Sequence, residues 1–173
     1  YNRNRQLLRE LMAIRRDEPW KLGCTEGYLL LRARTRMPCE EHNALLEAAL
    51  PLIRARDRVA QDKPRVVFVG GFCEQPPLEM LEALDDTCYV VDDDILIGLR
   101  WMTEDVDETG DPVRALAEAF LDRSAASPVQ HDERKTKEGY LMDMLHGARA
   151  DAAILTAAKF CEPGLDEQVA WSK

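Results

Sequence analysis

The run Arg65-Val66-Val67-Phe68-Val69 is the feature that most restricts how this chain can fold. Four consecutive apolar residues, three of them β-branched, end at Gly70-Gly71 with no polar residue between them. A strand that is apolar on both faces is typical of a parallel sheet covered by helices, since a sheet with one wet face alternates apolar and polar residues. The run therefore predicts a buried strand of an α/β domain.

Two further strands are predicted, and helices separate them. The strands cover residues 65–70, 88–91 and 151–156, with helices from Pro76-Pro77, from Asp111-Pro112 to about Asp122, over about 132–148, and after 156. Strand, helix, strand in succession predicts a parallel βαβ unit. Since sheets of this class usually have about four to six strands, three indicate part of a longer α/β protein. The missing initiating Met supports that expectation.

The first third of the chain has a helical pattern. Apolar residues recur at helical spacing over residues 1–16, a short helix covers Tyr28 to Leu31, and a third begins near Pro38 and should kink at Pro51. The predicted fold class is α/β, with a helical N-terminal segment followed by part of a parallel-sheet three-layer domain. We place the helical connecting region at 1–62 and the α/β domain, incomplete at its C-terminus, at 63–173.

Composition excludes two classes of function. The 173 residues carry 23 Lys and Arg against 32 Asp and Glu, a net charge of −9, which is the wrong sign for a general nucleic-acid binder. The apolar runs fall far short of the roughly 20 residues of a membrane-spanning helix. Five cysteines at irregular spacing argue against a disulfide scaffold and favour a reducing, cytoplasmic location.

Two of the cysteines stand in the same local sequence. Phe72-Cys73-Glu74 follows the first predicted strand, Phe160-Cys161-Glu162 follows the third, and a proline comes shortly after each. Loops at the carboxyl ends of parallel strands line one crevice, so Cys73 and Cys161 can converge in space. Each precedes a helix start, where free N–H groups and the positive end of the helix dipole favour the thiolate that binds metal.

The cysteines also have other interpretations. A single cysteine is more often a small buried apolar residue, and Cys24, Cys39 and Cys88 are interpreted as structural. Two thiolates are too few for a structural zinc site or a Cys₄ iron–sulfur cluster, so further ligands lie outside the chain or one position stays open. A dithiol redox pair is the rival, but no Cys-x-x-Cys motif supports it.

Several motifs resemble the benzoyl-CoA reductase and 2-hydroxyacyl-CoA dehydratase family, and within it the B subunit of the ATP-dependent reductases. These are Gly70 to Pro77, Val90 to Asp94 with Gly98-Leu99-Arg100-Trp101, Ala158 to Pro163, and the helical stretch Glu40-Glu41-His42-Asn43. The resemblance covers essentially the whole chain. It implies a subunit with two α/β domains that holds a [4Fe-4S] cluster by three cysteines and leaves one iron open.

Carried onto this sequence, the resemblance makes Cys73 and Cys161 cluster and metal ligands, with the third cysteine outside the chain. The piece alone would then be inactive. The implied partners are a homologous cluster-binding subunit, ATP-hydrolysing activator subunits, ferredoxin and an aromatic acyl-CoA substrate. The sequence has no Gly-x-x-x-x-Gly-Lys-[Ser/Thr] loop, which agrees with ATP use by partner subunits.

Three functions stay open at this stage. The first is an iron–sulfur subunit of a reductase that dearomatises benzoyl-CoA to a cyclic dienoyl-CoA, and the second is a 2-hydroxyacyl-CoA dehydratase component. The third is a non-catalytic α/β module whose cysteines are only core residues. Catalytic residues and the proton donor are not identified.

Some charged residues have two interpretations. Glu74, Glu162 and Asp92 to Asp94 would add negative charge near a cluster and disfavour its reduction, as suits a strong reductant. Asp92-Asp93-Asp94 is nevertheless more often a solvated strand end, and Arg32, Arg34 and Arg36 a solvated helix face rather than a CoA-phosphate site. For His42, His131 and His146 the prediction is a surface or packing role.

Overall fold

The computed structural model describes residues 1–70, 75–95, 104–125 and 132–171. Within these ranges the chain forms seven helices and three strands. They are α1 (Asn2–Asp17), α2 (Cys24–Ala33), α3 (Cys39–Arg54), β1 (Arg65–Val69), α4 (Leu78–Thr87), β2 (Tyr89–Asp93), α5 (Pro112–Leu121), α6 (Lys137–Ala148), β3 (Ala152–Leu155) and α7 (Glu162–Trp171). The alternation of strands and helices confirms the predicted α/β class.

The three strands form one parallel sheet in the order β2-β1-β3. Val66 of β1 lies opposite Val90 of β2 on one side and Ala152 of β3 on the other. Because β1 is central, both of its edges are hydrogen-bonded, and its four apolar residues are all buried. This placement explains why the sequence of β1 is apolar throughout.

Helices cover both faces of the sheet. Side chains alternate along β1, so Val66 and Phe68 pack on one face, and Val67 and Val69 on the other. The first face forms a core with α2 and α4, and the second with α6 and the partly buried Trp171 of α7. The domain therefore has the predicted three layers of helix, sheet and helix.

The N-terminal helices have their own core but also reach the sheet. Leucines and isoleucines of α1, α2 and α3, together with Leu22, form one buried cluster. Helix α2 contributes Leu31 to that cluster, whereas its Cys24 and Tyr28 belong to the core on the sheet. The helices are thus packed onto the α/β part, and a domain boundary at residue 62 stays a prediction.

Most elements match the sequence-based expectation, but some boundaries differ. The second helix, expected over Tyr28 to Leu31, runs over Cys24–Ala33. Its N-terminus is capped from α4, where the Asp85 carboxylate accepts the backbone N–H groups of Cys24, at 2.6 Å, and Thr25, at 3.0 Å. A cap supplied by a residue 60 positions away leaves no local signal in the sequence.

Candidate functional site

The carboxyl ends of β1 and β3 meet at Gly70 and Thr156. The Thr156 backbone N–H and hydroxyl both donate to the Val69 carbonyl oxygen, at 2.9 and 3.0 Å. Gly70 has a φ of 108°, and a Cβ at this position would lie 1.9 Å from the Thr156 carbonyl oxygen. Only glycine fits this contact, because any side chain would meet both a strained backbone and a steric overlap.

The end of β2 is tied to the same point. The Gly70 backbone N–H donates to Oδ1 of Asp94 at 2.9 Å, and the Asp94 N–H donates to the Phe68 carbonyl oxygen at 3.2 Å. Oδ1 of Asp93 accepts the N–H of Ile95 at 3.2 Å. These side chains therefore fix the backbone at the edge where the loop after β1 begins.

A buried ion pair supports this edge from behind. Nη2 of Arg15 on α1 lies 2.5 Å from Oδ2 of Asp93, and both side chains are 1% exposed. The Arg15 Nε–H donates to the Val90 carbonyl oxygen at 2.9 Å. Burial by itself lowers the pKa of Arg15, but the Asp93 carboxylate more than offsets this, so the pKa is raised and the guanidinium stays charged.

Asp92 is paired with a second arginine of α1. Nη2 of Arg16 lies 2.8 Å from Oδ2 of Asp92, whose side chain is 13% exposed. Burial raises the pKa of the Asp92 carboxyl group, although Arg15 and Arg16 oppose this shift. The prediction of a solvated strand end is therefore wrong, because α1 covers β2 and supplies the countercharges.

These pairs also change the expected field. Two of the three carboxylates at the end of β2 face guanidinium groups, so the negative charge at this edge is smaller than three carboxylates would give. Their predicted effect on reduction of a cluster is correspondingly reduced.

Cys161 is the residue that immediately precedes α7. Its carbonyl oxygen accepts the N–H of Leu165 at 3.0 Å, and the residue is 5% exposed. A Cβ built on Gly164 would lie 3.1 Å from the Cys161 Sγ, so the sulfur lies against the first turn of the helix where Gly164 leaves room for it. A thiolate in this position would face the backbone N–H groups and the positive end of the helix dipole.

The predicted partner, Cys73, lies outside the described residues. The residues on either side of that segment, Gly70 and Gln75, line a cleft of about 430 Å³ together with residues 156–159, which lead to Cys161. Within the described ranges no group of three or more His, Cys, Asp or Glu residues is placed to hold a metal ion. Whether Cys73 and Cys161 converge stays a prediction, and the donor chemistry around Cys161 fits it.

The lining of this cleft adds residues that the sequence did not single out. Its described walls are mainly apolar, with Gln75 and Lys159 as polar members; the full set is Phe68, Gly70, Gln75, Pro76, Pro77, Met80, Thr156, Ala157, Ala158 and Lys159. Phe160, next to Lys159, has a φ of 67° and is 86% exposed. The proximity of Gln75 and Lys159 to the two cysteine motifs was the one signal for them in the sequence.

A larger groove of about 880 Å³ lies at the opposite edge of the sheet. It is lined by residues that precede or begin the strands, such as Lys63 and Tyr89, and by the carboxylates of Glu26, Glu82 and Asp85. Parallel sheets bind ligands at the carboxyl ends of their strands, so the smaller cleft is the better candidate despite its size.

The remaining cysteines and histidines divide by burial. Cys24 and Cys88 are core residues, as predicted, and burial raises the pKa of Cys24 to about 12. Cys39 is only half-buried at the start of α3, so the core interpretation does not hold for it. His42 is fully buried between Asn4, at 2.8 Å from its Nδ1, and the Leu30 carbonyl oxygen, at 2.9 Å from its Nε2, which confirms a packing role.

The arginine group after α2 is also only partly solvated. Arg32 is half-buried and donates to the hydroxyl oxygen of Tyr28 at 2.5 Å, so the solvated-face interpretation is wrong for this residue. His146 is exposed on α6, and His131 lies outside the described residues. In the described part of the chain, no helix is long and apolar enough to span a membrane.

Comparison with known proteins gives a consistent result. A benzoyl-CoA reductase subunit of Thauera aromatica is 36% identical over 170 residues, 97% of this chain and 44% of that protein. Lactoyl-CoA dehydratase subunit beta of Anaerotignum propionicum is 29% identical over 94% of this chain and 43% of its own length. (R)-phenyllactyl-CoA dehydratase beta subunit of Clostridium sporogenes is 23% identical over similar shares.

The chain thus spans less than half the length of these relatives. The reductase relative is the subunit designated gamma-like by its letter, C and not B, so the resemblance to a B subunit in particular stays a prediction. A family model described as 2-hydroxyglutaryl-CoA dehydratase, D-component, matches residues 1–170. With this match and the α/β architecture, the chain belongs to the 2-hydroxyglutaryl-CoA dehydratase D-component family, which takes in subunits of benzoyl-CoA reductase and of 2-hydroxyacyl-CoA dehydratases.

Proposed function

We propose that this chain is part of an iron–sulfur subunit of an ATP-dependent, ferredoxin-linked reductase that dearomatises benzoyl-CoA to a cyclic dienoyl-CoA. The observation that carries the proposal is the cleft at the carboxyl edge of the sheet. Its walls include Gln75, two residues after Cys73, and Lys159, two residues before Cys161. The 36% identity to a benzoyl-CoA reductase subunit supports this choice of substrate.

In this proposal Cys73 and Cys161 are ligands of a [4Fe-4S] cluster, and a third cysteine comes from outside the chain. Cys161 would bind as a thiolate against the first turn of α7, where Gly164 makes space for the sulfur. The described wall of the cleft is mainly apolar, which would limit the access of water to the site. The cluster, when bound, would supply one-electron transfer at low potential.

The source of the electrons is assigned to other proteins. The sequence contains no phosphate-binding Gly-x-x-x-x-Gly-Lys-[Ser/Thr] loop, so ATP hydrolysis would belong to activator subunits that pass electrons from ferredoxin. A homologous cluster-binding subunit would complete the assembly. The relatives are themselves subunits by name, which supports partner subunits in general.

Replacing Cys73 or Cys161 with Ser should remove most of the bound iron and acid-labile sulfide. We expect this result because each change takes away one of the three proposed protein ligands, and a hydroxyl is a poor ligand for an iron–sulfur cluster. The measurement is iron and sulfide per subunit after anaerobic purification of the full-length subunit with its partner.

The matched control is Cys39→Ser, which changes a half-buried cysteine of α3 outside the cleft. It should retain the iron and sulfide content of the unmodified protein. Retention of the full cluster in either Cys73→Ser or Cys161→Ser would contradict that residue's role as a ligand. A full-length protein with no iron would instead support a non-catalytic module with structural cysteines.

A 2-hydroxyacyl-CoA dehydratase component is the second candidate function. It is favoured by the 29% identity to lactoyl-CoA dehydratase subunit beta, which also extends over nearly the whole chain. The two reactions differ in their electron balance, since a dehydratase returns its electron at the end of each turnover, whereas dearomatisation retains the electrons in the product.

Reductant consumption should therefore separate the two functions. For the proposed reductase, we expect the complete complex to oxidise reductant in proportion to the benzoyl-CoA that it converts. The measurement is the ratio of reductant oxidised to thioester converted, with ATP present. Turnover of a 2-hydroxyacyl-CoA with only catalytic amounts of reductant would reject the reductase and establish the dehydratase.

A further inference from the structure

A buried tyrosine connects an arginine to the candidate cleft. The hydroxyl of Tyr28, a residue with 0% exposure, lies 3.1 Å from Oε1 of Gln75. The same hydroxyl oxygen accepts a hydrogen bond from Nη1 of Arg32 at 2.5 Å, and the guanidinium carbon lies 5.6 Å from the centre of the tyrosine ring. The three side chains form a short chain of hydrogen bonds from α2 to the loop after β1.

The chemistry of these groups fixes the orientation of the amide. Arginine can only donate, so it occupies an acceptor position on the Tyr28 oxygen. The single hydroxyl proton is then satisfied only if it points to an acceptor, and the Gln75 carbonyl oxygen is the acceptor within reach. Turning the amide around would leave the buried O–H without a partner, which is costly.

The amide nitrogen of Gln75 is therefore the polar end left over for a ligand. Among the described residues, this nitrogen makes no hydrogen bond, and Gln75 lines the cleft. The described lining includes one cationic side chain, Lys159, and no carboxylate, although the chain as a whole has a charge of −9. Apolar walls with N–H donors fit an apolar group that carries an electron-rich oxygen.

We propose that the Gln75 amide N–H donates a hydrogen bond to the carbonyl oxygen of an acyl-CoA thioester, with Tyr28 and Arg32 as positioning residues. This assignment rests on the proposed function, which supplies the thioester as substrate. The hydrogen bond would hold the acyl group in the cleft and would strengthen whenever the oxygen gains negative charge. It requires no change in the protonation of Gln75.

The test compares two ligands that differ in this oxygen alone. Benzoyl-CoA has the carbonyl group, whereas the thioether S-benzyl-CoA has a methylene group in its place. Binding of each is measured by calorimetry on the anaerobically purified full-length complex without ATP or reductant. Gln75→Leu should weaken benzoyl-CoA binding about 3- to 10-fold, the effect of one hydrogen bond, and change S-benzyl-CoA binding less than about twofold.

Gln61→Leu is the matched control. Gln61 lies in the larger groove at the opposite edge of the sheet, so this variant should bind both compounds like the unmodified protein. Equal weakening of both ligands by Gln75→Leu, no weakening of either, or loss of iron from that variant would overturn the assignment. If the unmodified complex bound neither compound, the proposed substrate class would fail, and this assignment with it.

Tyr28→Phe tests the positioning role separately. It removes the hydroxyl group that fixes the amide but leaves the amide in place, so we expect a loss of benzoyl-CoA affinity smaller than that of Gln75→Leu. A change confined to the thioester, with S-benzyl-CoA affinity and melting temperature retained, would support positioning. Equal losses for the two ligands would indicate a general packing effect and reject it.

Discussion

Replacing Arg15 with Leu should lower the free energy of unfolding by about 3–5 kcal/mol. The change would leave the Asp93 carboxylate, 1% exposed, without its guanidinium partner at 2.5 Å, and would also remove the hydrogen bond to the Val90 carbonyl oxygen. A single charge left in an apolar interior costs more than the intact pair contributes. Urea denaturation of the full-length subunit measures the effect.

The control for this variant is Arg54→Leu, which breaks the exposed pair with Glu10, where the side chains are 49% and 41% exposed. Pairs of this kind contribute about 0–1 kcal/mol, so a loss within that range is expected. A double change of Arg15 and Asp93 to Leu should recover part of the stability, because it removes both charges. Equal losses for Arg15→Leu and Arg54→Leu would contradict the importance of the buried pair.

Gly70→Ala should destabilise the protein by more than about 3 kcal/mol. Part of this cost, roughly 1–2 kcal/mol, comes from placing a Cβ on a residue with a φ of 108°. The remainder comes from the overlap of that Cβ with the Thr156 carbonyl oxygen at 1.9 Å, which forces β1 and β3 apart at their carboxyl ends. Thermal and urea unfolding of the full-length subunit give the magnitude.

Gly110→Ala separates the two contributions. Gly110 has a similar φ of 98°, but among the described residues no atom lies within 4 Å of the position its Cβ would take. We therefore expect a loss of only about 1–2 kcal/mol, the cost of the backbone conformation alone. If the two glycine variants lost the same stability, the close contact between Gly70 and Thr156 would be of no consequence.

The sequence was sufficient for the sheet because its strands are encoded locally. The apolar run ending at Gly70 predicted a buried parallel strand, and the structure places β1 at the centre of the sheet. The Asp111-Pro112 start of α5 was also predicted, and the Asp111 carboxylate accepts the N–H of Val113 at 2.9 Å. Such features depend on neighbouring residues, whose chemistry can be recognised without a fold.

The candidate site was predictable only in part. The repeated Phe-Cys-Glu motif drew attention to two strand ends, and the parallel topology brings the segments beside them to one cleft. The carboxylates of Asp92 and Asp93 were misjudged because their partners, Arg16 and Arg15, are more than 70 residues away on α1. Charge pairing between distant elements has no periodicity that a sequence could reveal.

For this protein, the sequence by itself determined the α/β class, the parallel direction of the strands and the two cysteine motifs as the place to look for chemistry. These follow from local apolar patterning and from the chemistry of thiols. Only the tertiary structure decided that α1 neutralises the end of β2, that Gly70 must be a glycine, and that Tyr28 orients Gln75 toward the cleft. Each of these depends on a contact across at least 40 residues, and such contacts exist only once the elements have packed together.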